Sequence, residues 1–163
     1  EDSYTWRPDD GRIPSNLSGS RSAIILAEEI LRNRGRLTEL DWRLFERLVA
    51  ELLERDGFSV ILTQGSRDGG IDVIADKTDT VLGAVRTIWQ AKRFKEGRKV
   101  GLSTVRELSG LLDRSGSSKG FLVTTSTLTG GAINWIRQDR FLMDYREHDD
   151  IAKWVLGPLP TLG

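Results

Sequence analysis

The chain has 163 residues, of which 38% are hydrophobic and 29% charged, a balance that fits one globular domain and argues against a disordered chain. Its 24 Lys and Arg are matched by 24 Asp and Glu, which excludes a histone-like or ribosomal-tail protein, so any nucleic-acid binding must use a local basic patch. With no Cys and a single His, His148, the chain lacks the ligands of structural zinc and has no disulfides, no Cys nucleophile and no two-histidine catalysis.

No apolar run approaches the ~18 residues of a membrane span and no signal-peptide pattern opens the chain, so the expectation is a cytoplasmic protein without a membrane partner. The first residue is Glu1, from which a longer parent chain with further domains is expected.

Residues 1–20 hold two of the four prolines and no periodic apolar pattern, and read as an arm whose Tyr4 and Trp6 pack on something. A short amphipathic helix follows from Ser22, stopped near Gly35. Thr38-Glu39-Leu40-Asp41 has the spacing of a capping box. Behind it Leu44, Phe45, Leu48, Val49, Leu52 and Leu53 recur at helical spacing up to Gly57. Phe58–Thr63, Ile71–Ala75, Ala84–Ala91 and Gly120–Thr125 read as strands. A helix over Ser103–Leu112 lies between the last two. A helix near Ala132–Gln138, a short strand at Phe141–Tyr145 and a helix near Asp149–Leu156 complete the pattern. The order predicts an α/β fold with a mixed central sheet of four to five strands flanked by helices. The first three strands suit an antiparallel meander, and the fourth joins by a helical crossover. The domain is expected over residues 38–157, after an arm with a short helix over 1–37 and before a tail over 158–163.

Asp72 is out of place in an apolar strand, where a carboxylate is costly unless it is ligated or hydrogen-bonded. In Gln90-Ala91-Lys92, alternation points Gln90 and Lys92 the same way. If the two strands pair, a carboxylate, an amide oxygen and an ammonium converge. Glu46 on the long helix is a fourth candidate, with Glu51 and Glu54 as competitors. Such an oxygen-rich set suits Mg²⁺, with Mn²⁺ as a substitute, because hard cations take few protein oxygens and keep several waters. A lysine beside it can orient water and stabilise phosphate charge, which favours phosphodiester hydrolysis.

The blocks Phe45-Glu46-x-Leu48-Val49-x-x-Leu52-Leu53, Gly57-Phe58, Asp68-Gly69-Gly70-Ile71-Asp72-Val73-Ile74-Ala75 and Gln90-Ala91-Lys92-Arg93-Phe94 resemble the Mrr-type restriction endonuclease domain, a branch of the PD-(D/E)XK nuclease superfamily. Val105-Arg106-Glu107-Leu108-x-Gly110 and Val123-Thr124-Thr125-Ser126 resemble further segments of it, in the right order, over roughly residues 40–156. The resemblance implies a restriction-endonuclease-like core and a Mg²⁺-dependent endodeoxyribonuclease of restriction or defence type acting on double-stranded DNA. It implies that Asp72 and Gln90 ligate the metal with help from the Ala91 carbonyl. Lys92 is then the catalytic lysine, and Glu46 an acid serving the metal or a bound water. Two residues depart from the superfamily's general pattern. Ile71 stands where Pro is usual, and Gln90 where most members carry an acid, although Gln is usual in the Mrr branch.

Other readings stay open. Asp72 alone fits a strand-end acid held by backbone N–H groups. Arg93, Lys95, Arg98 and Lys99 form a basic run that is either a solvated loop or a set of phosphate contacts, with Arg32, Arg34 and Arg36 as the fallback face. Thr124, Thr125 and Ser126 either contact the DNA backbone or cap a helix. Gly69-Gly70 reads as a tight turn, His148 as a surface or capping residue, and Trp89, Trp135 and Trp154 as core aromatics. Two rival functions are a DNA-binding module that has kept the fold without cleavage, and a Holliday-junction-resolvase-like nuclease, which needs a homodimer.

Overall fold

A computed structural model describes residues 17, 19–64 and 70–157. The readings of Tyr4 and Trp6, of Asp68-Gly69 and of the 158–163 tail lie outside these described residues. The elements are α1 (Ser22–Arg32), a 3-10 turn (Leu37–Glu39), α2 (Trp42–Arg55), β1 (Ser59–Leu62), β2 (Val73–Asp79), β3 (Gly83–Lys92), α3 (Leu102–Ser115), β4 (Lys119–Thr124), α4 (Gly130–Gln138), β5 (Met143–Arg146) and α5 (His148–Leu156). One five-stranded sheet runs in the order β1-β2-β3-β4-β5. The first three strands are an antiparallel meander. β4 and β5 join parallel after helical crossovers. This is the mixed α/β sheet that the strand order predicts.

The sheet is packed on both faces, so its central strands are apolar on both sides. Val73, Ala75, Trp89 and Val123 face α1, α2 and α5 in one core. Ile88 and Leu122 face α3 and α4 in the other. Trp89 stacks on Phe121, with centroids 4.0 Å apart and planes 5° from parallel, and tilts against Trp154. α2 owes its place to its apolar stripe, since Phe45, Leu48, Val49, Leu52 and Leu53 are all buried. It ends in a Schellman motif. Gly57 takes a φ of +95°, its N–H donates to the Glu54 carbonyl, and the Phe58 N–H donates to that of Leu53.

α1 is built into this core rather than appended to it. Ala23, Ile24 and Ala27 are buried. The Glu51 carboxylate of α2 accepts the Ala23 and Ile24 N–H groups at 3.0–3.1 Å, capping the start of α1.

Four sequence expectations need correction. Thr38 is not the cap of α2. It lies inside the 3-10 turn, and Asp41 caps the helix by accepting the Leu44 N–H at 2.8 Å. β2 starts at Val73 and runs on to Asp79 instead of stopping at Ala75. Its charged half pairs with β3 in an exposed hairpin, where Arg86 grips the Asp76 carboxylate at 2.6 Å through two N–H donors. α1 stops at Arg32, short of Gly35. His148 is buried, not at the surface. Its Nε2 accepts the Leu37 N–H at 3.0 Å and its Nδ1 lies 3.0 Å from the Asp149 carboxylate, so it joins α5 to the 3-10 turn. No helix among the described residues is long and apolar enough to cross a membrane.

Candidate active site

The site lies where β2 and β3 part. Their ladder has Val73 opposite Trp89, and its last backbone bond runs from the Asp72 N–H to the Trp89 carbonyl at 2.9 Å. Beyond that rung the Asp72 side chain replaces the backbone: Oδ2 accepts the Ala91 N–H at 2.7 Å. β1 fixes the backbone here. The Thr63 hydroxyl donates to the carbonyls of Ile71 and Asp72, and its N–H donates to the Asp72 carbonyl. The short apolar strands thus converge on an acid whose direction is set by three main-chain bonds.

Asp72 is buried, and that burial pushes its carboxyl up to about 8. The Ala91 N–H opposes the shift, a carboxyl–carboxyl contact with Glu46 adds to it, and the Lys92 charge opposes it. Of the three acids considered on α2, Glu46 is therefore the one beside Asp72. It is buried and also paired with Arg43 at 2.8 Å. Glu51 is committed to the α1 cap and to Arg47 at 2.7 Å.

Gln90 alternates with Ile88 and so belongs to the α3 face, one position past Trp89, where the paired β2–β3 register ends. It is fully buried. Its Nε2 donates to Glu107 Oε1 on α3 at 3.2 Å, while its own Oε1 is buried with no hydrogen-bond partner. A buried amide oxygen left bare is costly and needs a water or a cation. Lys92 ends β3 opposite Thr124, partly exposed. Among the described residues no three His, Cys, Asp or Glu side chains gather into a ready-made metal cage. Two carboxylates and a bare amide oxygen nonetheless fit a hard cation that keeps part of its water.

The basic run occupies the loop after β3. Lys95, Arg98 and Lys99 are exposed, and Arg98 lies over the Phe94 ring at 4.2 Å. Arg93 is differently placed: its guanidinium donates to the Leu40 and Thr38 carbonyls at 2.8 Å, tying the loop to the entry of α2. Thr124, Thr125 and Ser126 are buried and turned inward. The Thr125 hydroxyl exchanges hydrogen bonds with the Phe94 backbone, the Ser126 hydroxyl donates to the Arg98 carbonyl, and Thr124 Oγ1 accepts the Ser126 N–H. These hydroxyls hold the basic loop against the end of β4.

Sequence reasoning missed Thr63, Arg43 and Glu107 as partners of the site. Glu107 stands in a block that carried the family resemblance, but nothing in its own helix pattern points toward Gln90.

Residues 37–155 match the Mrr catalytic domain family, restriction endonuclease. The chain belongs to this family. An uncharacterized protein, y4cE, of Sinorhizobium fredii is 36% identical over 109 residues, covering 66% of this chain and 27% of that protein. The DNA modification-dependent restriction endonuclease AspBHI superposes with a TM-score of 0.55 at 24% identity, over 89% of this chain and 38% of that one. A protein of unknown function, AF1548, superposes with a TM-score of 0.54 at 15% identity, over 68% of this chain and 65% of that one. At these identities the structures show a shared fold, that of restriction endonucleases. The chain spans about a quarter of the length of y4cE.

Proposed function

We propose that this domain is a Mg²⁺-dependent endodeoxyribonuclease of restriction type that hydrolyses phosphodiester bonds in double-stranded DNA. The observation that carries this reading is that Asp72, where β2 and β3 separate, interacts with Glu46 and with the Lys92 charge, while Gln90 on β3 keeps a buried, bare oxygen. Asp72, Gln90 Oε1 and the Ala91 carbonyl would hold the cation, and Glu46 would serve it directly or through water. Bound there, Mg²⁺ supplies Lewis-acid stabilisation of phosphate charge and lowers the pKa of a water. Lys92 presents its ammonium at the same strand end, where it donates to the attacking water or to a phosphate oxygen. Its charge already acts on Asp72.

The exposed Lys95, Arg98 and Lys99 give sequence-independent phosphate affinity. A neutral chain needs more than this loop for tight binding, so further domains of a parent chain or a second copy share the DNA. The relative AspBHI acts on DNA, which supports the choice of substrate. Incubating the purified domain with supercoiled plasmid, in Mg²⁺ or EDTA, tests the proposal. Nicked or linear product in Mg²⁺ alone supports it. DNA binding without cutting in either condition favours the non-catalytic module instead.

A further inference from the structure

Gln90 offers a cation only a neutral amide, which brings a difficulty that an acid does not. A carboxylate presents oxygen whichever way it turns. An amide presents oxygen one way and an N–H donor the other, and a donor repels a cation. A buried Gln that serves a metal therefore needs something to fix its orientation.

Glu107 is in place to do this. Its carboxylate can only accept when ionised, so it selects the Nε2 end of Gln90, which it meets at 3.2 Å. The opposite end, Oε1, is then directed away from α3, and it is this atom that is buried with no partner. Gln90 is fully buried while Glu107 lies on the exposed side of α3. The contact crosses from strand to helix and serves no packing need of α3, whose buried stripe is Val105, Leu108 and Leu112.

We propose that Glu107 is a positioning residue that holds the Gln90 amide with its oxygen toward the cation site through the Nε2–Oε1 hydrogen bond. This rests on the cation reading given above. It also explains how an acid can be dispensed with at position 90: the negative charge stands one shell further out, on α3, and acts through the amide.

Two conservative variants separate orientation from charge. Glu107→Gln loses the charge and, as an amide, presents a donor as readily as an acceptor, so it no longer selects the Nε2 end of Gln90. Glu107→Asp keeps the charge but retracts it by one methylene, out of reach. Because the residue is exposed, both variants should fold, which matching circular dichroism spectra and melting temperatures check. Mn²⁺ is then titrated calorimetrically into the DNA-free proteins. If Glu107 positions the amide, Glu107→Asp weakens Mn²⁺ binding roughly 10–100-fold, as expected for loss of an outer-shell partner. Glu107→Gln, which no longer selects the orientation of the amide, should weaken it as well. Glu107→Asp near wild type overturns the positioning role while leaving the cation reading intact, and with Glu107→Gln weak it makes Glu107 a source of field only. A wild type that binds no Mn²⁺ overturns the cation reading and the positioning role together.

Discussion

Asp72 Oδ2 accepts the Ala91 N–H at 2.7 Å, one rung beyond the last backbone bond of the β2–β3 ladder. A side chain thus takes over the work of a carbonyl just where the two strands part. That substitution keeps a buried acid in a fixed direction next to Glu46, and it makes the metal-free protein sensitive to pH.

The sign follows from linkage. The folded protein retains the Asp72 proton up to about 8, whereas the unfolded chain releases it near 3.8. Asp72 therefore contributes stability that is fully present below the unfolded value and is lost as pH rises toward 8. Melting temperatures in EDTA should fall across pH 5–8 more steeply for wild type than for Asp72→Asn, which carries no titrating group there. Parallel curves would mean that Asp72 ionises freely in the fold.

Divalent metal should reverse this trend. Binding must displace the Asp72 proton, so affinity grows with pH up to about 8. At one fixed Mn²⁺ concentration, the rise in melting temperature over EDTA should be larger at pH 8 than at pH 6. An equal rise at both would place the ion elsewhere.

Glu51, five residues after Glu46 on α2, makes a control for it. Glu51→Ala strips the cap from Ala23 and Ile24 and should cost about 2–3 kcal/mol in urea unfolding. It should leave Mn²⁺ affinity unchanged, whereas Glu46→Ala should weaken it. A weaker Mn²⁺ site in Glu51→Ala would dissolve the distinction.

Much of this fold is legible in the sequence, because strand-length apolar runs and the α2 stripe set the order of elements and the two-faced core. The misplacements have local causes. The end of β2 carries Asp76, Lys77 and Asp79, which reads as loop, but a hairpin stem needs pairing rather than burial. His148 reads as surface because a lone His near a helix start usually is, while its partner Leu37 lies far away in sequence. Asp72, Gln90 and Lys92 stand out because polar residues interrupt apolar strands. Contacts such as Gln90 with Glu107, or Ser126 with Arg98, join separate elements through single atoms and leave no periodic trace.

The basic loop yields a quantitative expectation. Lys95, Arg98 and Lys99 are exposed on a loop that Thr125 and Ser126 pin in place. Replacing all three by Ala should lower the slope of log affinity against log salt by roughly 2–3, at ~0.9 per lost phosphate contact. Labelled duplex titrated into a Lys92→Ala background at several salt concentrations measures it. An unchanged slope would move the DNA-binding face to Arg32, Arg34 and Arg36.

The central claim is that Asp72 and Lys92 carry metal-dependent cleavage. The most direct measurement is the rate of plasmid nicking by purified wild type, Asp72→Ala and Lys92→Ala in Mg²⁺ and in EDTA. The account predicts cutting by wild type in Mg²⁺ only, with each variant slower by ~10²–10⁴-fold while still folded. Cleavage by wild type in EDTA, or full activity in either variant, would contradict it.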